Sequence, residues 1–427
     1  MASRLPGGAA TPSPAATVVD DSTTDPAATL LPQATTEQAQ PPQPAPPATL
    51  RVWIPPEIGA RTEAGFREMT SQIRAFETTH DDLSVIVEQK PLEGPGGIIN
   101  YLRAGRTVAP SVMPDLIAVS GRVLSDPNAQ DLFMPLDDLV DPAILGDIYP
   151  AAVSQVVSDG RLYGYPFATS GLTHLIVRPS LMTGDDVPLT WTQFISDTNH
   201  NMVLPADSRE GALFGLQFYL AVGGALVNDA GQPDLQPGML AQALTQIGLR
   251  RDNLLQSSQL KTLDEAWQYH QLGLSQSMWM QADFLLSQPT EPVAAGATPD
   301  QAYMPVPGPD EALVPLTTTW AWAITTTDQS RQALAAELVS YLTRSENLTN
   351  WSSRSQVLPA QRSAVEALAV ENPYFRFADG ELQRSAGMPI SETSRLLDAL
   401  GDAVFQVLTT DRSPAVIAEE AVLAARQ

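Results

Sequence analysis

The sequence predicts an α/β protein with a mostly parallel sheet covered by helices on both faces. Three observations carry that expectation. Strand-like and helical periodicities alternate from Leu50 to Val119, which implies right-handed crossovers between parallel strands. The third strand of that series, Asp115–Val119 (DLIAV), is nearly all apolar, as a strand buried on both faces must be. The chain has 427 residues, 43% of them hydrophobic. At roughly 100–200 residues per domain, that length accommodates about two or three domains with a sizeable core.

Residues 1–48 precede this pattern. The stretch holds Ala, Thr, Pro, Gln and Ser without one aromatic side chain, and its prolines crowd together at positions 41, 42, 44, 46 and 47. Such a composition cannot bury enough apolar surface to offset its chain entropy. It is expected to be a disordered tether whose Pro-rich end forms an extended spacer. A signal peptide needs a charged start and an apolar run, which this segment lacks, so the anchor is expected outside this chain.

From Thr49 onward the elements follow one another closely. Leu50, Val52 and Ile54 alternate with Arg51 and Trp53, which predicts a strand. Glu63–His80 carries Phe66, Met69, Ile73 and Phe76 at helical spacing. Leu83–Val87 reads as a strand, and the Gly94-Pro95-Gly96-Gly97 loop leads into a helix over Ile98–Val108. Tyr163–Val177 is extended and turn-rich, Trp191–Thr198 helical, and Leu213–Leu226 apolar before a turn at Asn228–Gly231. Helices are expected at Gly238–Gln256 and Thr262–Leu272, a strand at Ser277–Gln281, and an irregular connection at Tyr303–Pro309. Trp320–Thr325 reads as a strand, Ser330–Arg344 as a long helix, and Glu392–Arg426 as helical apart from a break at Asp411–Pro414.

Charge narrows the function. There are 48 acidic and 24 basic side chains, a net charge of −24, and the only lysines are Lys90 and Lys261. Phosphate backbones and anionic membrane surfaces repel such a chain, so no nucleic-acid partner is expected. The absence of cysteine excludes disulfides, thiolate metal sites and cysteine nucleophiles together. No apolar run approaches the roughly 18 residues that a membrane span needs.

Catalytic patterns fail one by one. No phosphate-cradling loop ends in Gly-Lys-Ser/Thr, and the Gly94–Gly97 cluster lacks dinucleotide spacing. His80, His174, His200 and His270 are isolated, without the helical pair that zinc requires. Ala168 stands where a nucleophile elbow at Ser170-Gly171 would need glycine. Asn228–Gly231 lacks the alternating carboxylates of a calcium loop. Asp137, Asp138 and Asp141 fall in one short segment and read as a solvated face and a helix cap rather than paired acids. His174 reads as a structural imidazole. Neither a metal nor a cofactor is expected.

Several separated segments resemble the extracellular solute-binding proteins of bacterial sugar importers, the family-1 class. They are Leu50–Pro55 (LRVWIP), Met113–Val119 (MPDLIAV), Phe133–Leu139 (FMPLDDL), Gly160–Phe167 (GRLYGYPF), Val187–Phe194 (VPLTWTQF), Trp320–Ile324 (WAWAI) and Val357–Pro359. Their order and spacing carry the resemblance, which covers Thr49 to the C-terminus. The chain departs at Val177-Arg178, where the family commonly has tyrosine-asparagine, and at Thr317–Thr319, where glycines often precede the tryptophan.

The resemblance implies a two-lobed periplasmic-binding-protein-like fold of the class II type, with ligand held between the lobes. Lobe one would comprise 49–166 plus 314–346, and lobe two 167–313 plus 347–427. Hinge crossings would fall near Tyr163–Phe167, Pro309–Thr317 and Glu346–Trp351. It further implies an extracellular, cell-surface or periplasmic monomer, tethered in its precursor, that delivers a mono- or oligosaccharide to an ABC permease. A glycan-acting enzyme of the same shape, or a sensing or adhesion module for a non-sugar molecule, stays open.

A sugar presents apolar C–H faces and a rim of hydroxyls, so its site calls for flat aromatic platforms with fixed donors and acceptors. The cleft of an open α/β sheet lies at the carboxyl ends of strands, which favours Trp53–Glu57 and Ser120–Arg122. The platform candidates are Trp53, Tyr165, Phe167, Trp279, Trp320 and Trp322, with Glu57, Arg122, Thr319 and Arg354 as edge groups. Trp320 and Trp322 are two apart on a strand and share a face; if that face points into the lobe, both are core. Trp191 and Trp267 lie in helices and read as core, Trp351 is ambiguous, and Gly223-Gly224 reads as a turn or a close approach to ligand.

Overall fold

The computed structural model describes residues 48–181, 190–196, 200–230, 232–249, 251, 261–289, 300–391 and 394–426. The expected tether therefore lies outside the described residues except for Ala48. So do positions 187–189, 197–198, 231, 250, 252–256 and 392–393 of the segments named above.

Helix starts follow their capping residues. Thr62 Oγ1 accepts from the Gly65 amide at the head of helix Glu63–Glu77, whose Met69, Ile73 and Phe76 are buried. Asp328 receives the Ser330 and Arg331 amides at the head of helix Gln329–Leu342. Thr262 caps Leu263–Gln271, and Ser394 caps Arg395–Thr409.

In chain order the described strands begin with β1 (Ala48–Ile54), β2 (Leu83–Gln89), β3 (Leu116–Ser120), β4 (Val157–Ser158), β5 (Arg161–Leu162) and β6 (Tyr165–Ser170). They continue with β7 (Thr173–Val177), β8 (Met202–Val203), β9 (Ser277–Gln281) and β10 (Ala302–Met304). The last are β11 (Leu316–Ile324), β12 (Leu358–Pro359) and β13 (Ala386–Gly387). The larger sheet runs β12-β6-β11-β3-β1-β2, with β13 on the start of β11. The smaller runs β10-β7-β9-β8, and β4-β5 is a separate ribbon.

Parallel pairing, expected for most of the sheet, is confined to β2-β1-β3, β8-β9 and the short β13 contact. β11 lies antiparallel to both β3 and β6, and β7 antiparallel to β9 and β10. The reason is connectivity. β6 ends at Ser170 and β7 begins at Thr173 in the other sheet, so the chain crosses between sheets at Gly171-Leu172 and must return from the opposite end.

Two large cores follow from the two sheets. One gathers Val52, Ile117, Phe167, Trp322 and Trp351 around the larger sheet; the other gathers Leu175, Trp191, Phe214, Trp279 and Leu400 beside the smaller. The opposite face of the smaller sheet buries Ile176, Met278 and Met280, so its central strands are apolar on both sides. A further cluster, with Leu172, Ala282, Leu358 and Tyr374, packs where the chain passes between the sheets.

Several local expectations change. Thr317–Thr319 lie inside β11 rather than before it, and Tyr303 and Met304 belong to β10 rather than to an irregular connection. Glu346–Trp351, expected as a crossing, is helical within Ser345–Ser355, and its Leu348 and Trp351 join the core of the larger sheet. Helices Arg362–Leu368 and Tyr374–Gln383 were not expected; their apolar stripes are too short to stand out from the sequence.

Candidate functional site

Strand ends from both sheets converge on one hydrogen-bonded path. Trp320, half-buried in the middle of β11, donates its indole N–H to Ser170 Oγ at 3.2 Å, at the last residue of β6. Gly171 follows with φ +81°, a conformation that favours glycine, and its amide donates to Asp283 Oδ2 at 2.6 Å. Asp283 stands just past β9 of the smaller sheet. Its carbonyl accepts from Arg61 Nη2 at 2.6 Å, and Arg61 lies in the loop that follows β1 of the larger sheet. Ser170, Asp283 and Arg61 stand at or after the carboxyl ends of β6, β9 and β1, where ligands of open α/β sheets bind, and Trp320 pairs with Ser120 at the carboxyl end of β3.

The other side of β11 is closed. Thr319 is buried; its amide donates to Gln155 Oε1 at 3.1 Å and its hydroxyl accepts from Gln155 Nε2 at 3.0 Å. Gly121 leaves room for this glutamine, since a Cβ there would come within 2.7 Å of Gln155 Cβ.

The ten residues expected to bind ligand divide sharply. Tyr165, Phe167, Trp279 and Trp322 are core residues, each 1% exposed or less, and are corrected here from platforms to packing. Phe167 stacks on Trp322 at 4.9 Å and meets Trp351 edge-on at 5.4 Å, while Tyr165 OH accepts from Gln361. Burial in the two cores leaves no face of these four rings open to a sugar. Trp53 is also buried: its indole donates to Glu88, Tyr101 packs edge-on, and Lys90 Nζ lies 4.6 Å above the ring. Thr319 is corrected likewise, because Gln155 saturates it.

Trp320 alone of the six aromatic candidates keeps partial access. Glu57 and Arg122 are exposed at the ends of β1 and β3, Arg122 beside Glu93 at 3.4 Å. Arg354 is exposed and paired with Glu68 at 2.9 Å, and its carbonyl accepts from Thr62. The structure thus joins Trp320 to Ser170, Asp283 and Arg61. Sequence reasoning missed those three, because nothing local distinguishes them from ordinary loop residues.

Beside this path lies an aromatic cluster. His174 is fully buried with its ring near Tyr303, Tyr374 and Phe377, and burial pushes its pKa down to about 4. Its Nδ1 lies 3.4 Å from the Leu172 carbonyl, whereas Nε2 has no partner, so this imidazole is structural but only half satisfied. The Tyr374 hydroxyl is buried without a partner as well, and burial raises its pKa.

The remaining sequence candidates are structural. Asp137 pairs with Arg161 and accepts the Leu162 amide, and Asp141 caps Ala143. Trp191 is core, Trp267 half-buried. Gly223, at φ +89°, forms a turn, and Gly224 packs on the Tyr219 ring. Among the described residues, no group of three His, Asp or Glu side chains is placed to hold a metal. No described helix is long and apolar enough to cross a membrane.

Residues 71–375 match the family model described as bacterial extracellular solute-binding protein. No curated protein matches the chain. Among solved structures, the sugar-binding protein MalE from Xanthomonas citri is similar with a TM-score of 0.68 at 18% identity, over 88% of this chain and 96% of that one. The cyclic alpha-maltosyl-1,6-maltose binding protein from Arthrobacter globiformis gives 0.67 at 15% identity, over 89% and 98%. The GacH receptor of Streptomyces glaucescens, solved unliganded and with acarbose, gives 0.63 at 18% identity, over 88% and 97%. At these identities the likeness shows the fold, a two-lobed α/β architecture.

Proposed function

We propose a function from one premise: this chain belongs to the bacterial extracellular solute-binding protein family. It captures a carbohydrate between its lobes and delivers it to an ABC import permease. The observation that carries this reading is the path Trp320–Ser170–Gly171–Asp283–Arg61, which sets a half-exposed indole among hydroxyl, amide and guanidinium donors where two sheets meet. An apolar face with polar edges is what a sugar ring requires. The neighbours named for maltosaccharides and acarbose support an oligosaccharide as the ligand.

The family places the chain in the periplasm or outside the cell. The proposal adds that it works as a monomer, held at the membrane through the segment before β1, and that it binds ligand without altering it. Lobe one comprises β1–β6 with the end of β11 and the helix Ser345–Ser355; lobe two comprises β7–β10 with the C-terminal helices. The lobes close about the turn from β6 to β7 and the segment from β10 to β11, where the chain passes between the sheets.

A thermal-shift screen of mono- and oligosaccharides, maltose and maltotriose included, tests the reading. Ligand at about a hundred times its Kd adds roughly 2.7 kcal/mol to native stability. The ligand should be recovered unchanged, and small-angle scattering should show a more compact molecule at saturation. Release of a new reducing end, or no shift with any saccharide, would sink the proposal.

A further inference from the structure

The structure assigns a charge preference to this same site: we infer that the saccharide carries an anionic group, carboxylate or phosphate, which Arg61 receives. The inference rests on the carbohydrate reading above.

Acidic residues outnumber basic ones by 48 to 24, and arginines find them readily. Arg122 pairs with Glu93, Arg331 with Asp115, Arg354 with Glu68 and Arg384 with Glu381. Arg61, like Arg51 and Arg362, is half-buried with no described carboxylate within ion-pair distance, and its Nη2 donates to a neutral carbonyl, that of Asp283. Its Nε–H is covered and has no acceptor. A covered guanidinium donor without an acceptor is unfavourable until one is supplied, and a planar anion matches its fork best.

The local carboxylates do not supply it. Asp283 Oδ2 accepts from the Gly171 amide at 2.6 Å, which holds that side chain toward the β6–β7 turn. Glu57, on the same side of β1 as Arg61, is exposed, and solvent and salt screen it. Arg122, at the neighbouring end of β3, is already paired with Glu93 and adds no free cation. A ligand seated against Trp320 would thus meet one guanidinium without a carboxylate partner, that of Arg61, in a protein that is strongly negative overall.

The test is calorimetric titration of the full chain with maltotriose, trigalacturonate and glucose 6-phosphate. The expected result is that an acidic probe binds about tenfold or more tighter than maltotriose. Raising salt from about 20 to about 200 mM should weaken the acidic probe selectively. Arg61→Gln should cut affinity for the acidic probe about tenfold more than it cuts affinity for maltotriose, while Arg61→Lys restores part of the preference. A lead for trigalacturonate assigns the group as carboxylate, and a lead for glucose 6-phosphate assigns it as phosphoryl. If maltotriose leads and Arg61→Gln weakens all probes alike, Arg61 is a neutral clamp between the sheets; this inference fails and sugar capture stands. If no saccharide binds, neutral or acidic, the carbohydrate reading fails and takes this inference with it. The wild-type salt dependence decides the matter even if the glutamine variant does not fold.

Discussion

Trp320 donates its indole N–H to Ser170 at 3.2 Å, while Trp322, two residues on, lies flat against Phe167 at 4.9 Å. The register of β11 on β6 slips between Trp320 and Ala321, so Trp320 opposes Ala168 and Trp322 opposes Tyr165. The extra residue is Phe167 of β6, whereas β11 keeps an unbroken register on β3, so the two indoles share a face of β11. Trp320 lies level with Ser120, the last residue of β3, and is half-exposed, while Trp322 lies deeper in the core, and the two should respond oppositely to mutation.

Trp320→Ala is expected to lower ligand affinity about tenfold or more, through lost stacking and lost apolar burial. Its melting temperature should fall less than that of Trp322→Ala. Measuring melting and affinity on the same variant checks this. Intact affinity with a large loss of stability would move Trp320 into the core and remove it from the site.

Trp322→Ala should cost about 3–5 kcal/mol in urea unfolding, the range for deleting a large buried aromatic. Phe167→Ala should behave similarly, and the double variant should cost less than the sum because the rings share one contact. A strictly additive pair would contradict the stacked arrangement.

Acid should destabilise the protein through two buried imidazoles. Burial holds His174 and His270 near a pKa of about 4, and Arg178 adds to the effect at His270. Against the unfolded value of 6.5, both pKa values are depressed, so the folded state favours the neutral ring. Their contribution is complete above about pH 6.5 and is lost as pH falls toward about 4, up to roughly 3 kcal/mol each. Urea unfolding at pH 7 and pH 4.5 measures it. His174→Leu should flatten the acid limb; an unchanged slope would mean that the buried ring does not govern it.

Asp115 is almost wholly buried and accepts from the Arg51 amide and Arg331 Nη1, both at 2.9 Å. Asp115→Ala leaves the guanidinium without its partner and should cost about 3 kcal/mol, the lower end for a broken buried pair because Arg331 is partly exposed. Equilibrium unfolding checks it. A loss under about 1 kcal/mol would show that solvent replaces the carboxylate.

Local chemistry alone determined much of this protein. Alternation in Leu50–Ile54, the apolar run of β3, and the stripe Met69, Ile73, Phe76 specify their elements because side-chain periodicity depends only on neighbours in the chain. The ordered motifs from Leu50 to Pro359 likewise pointed to the two-lobed family. Tertiary structure decided the site. Aromatic content was legible, but Tyr165, Phe167, Trp279 and Trp322 became core because each found a buried partner contributed by another element. Arg61 and Asp283 were illegible for the converse reason. They lie 222 residues apart, after strands of different sheets, and only the packing of one sheet against the other brings their loops into contact. Periodicity reports which face of an element is apolar; which distant loop it meets depends on topology, and that is where the site was made.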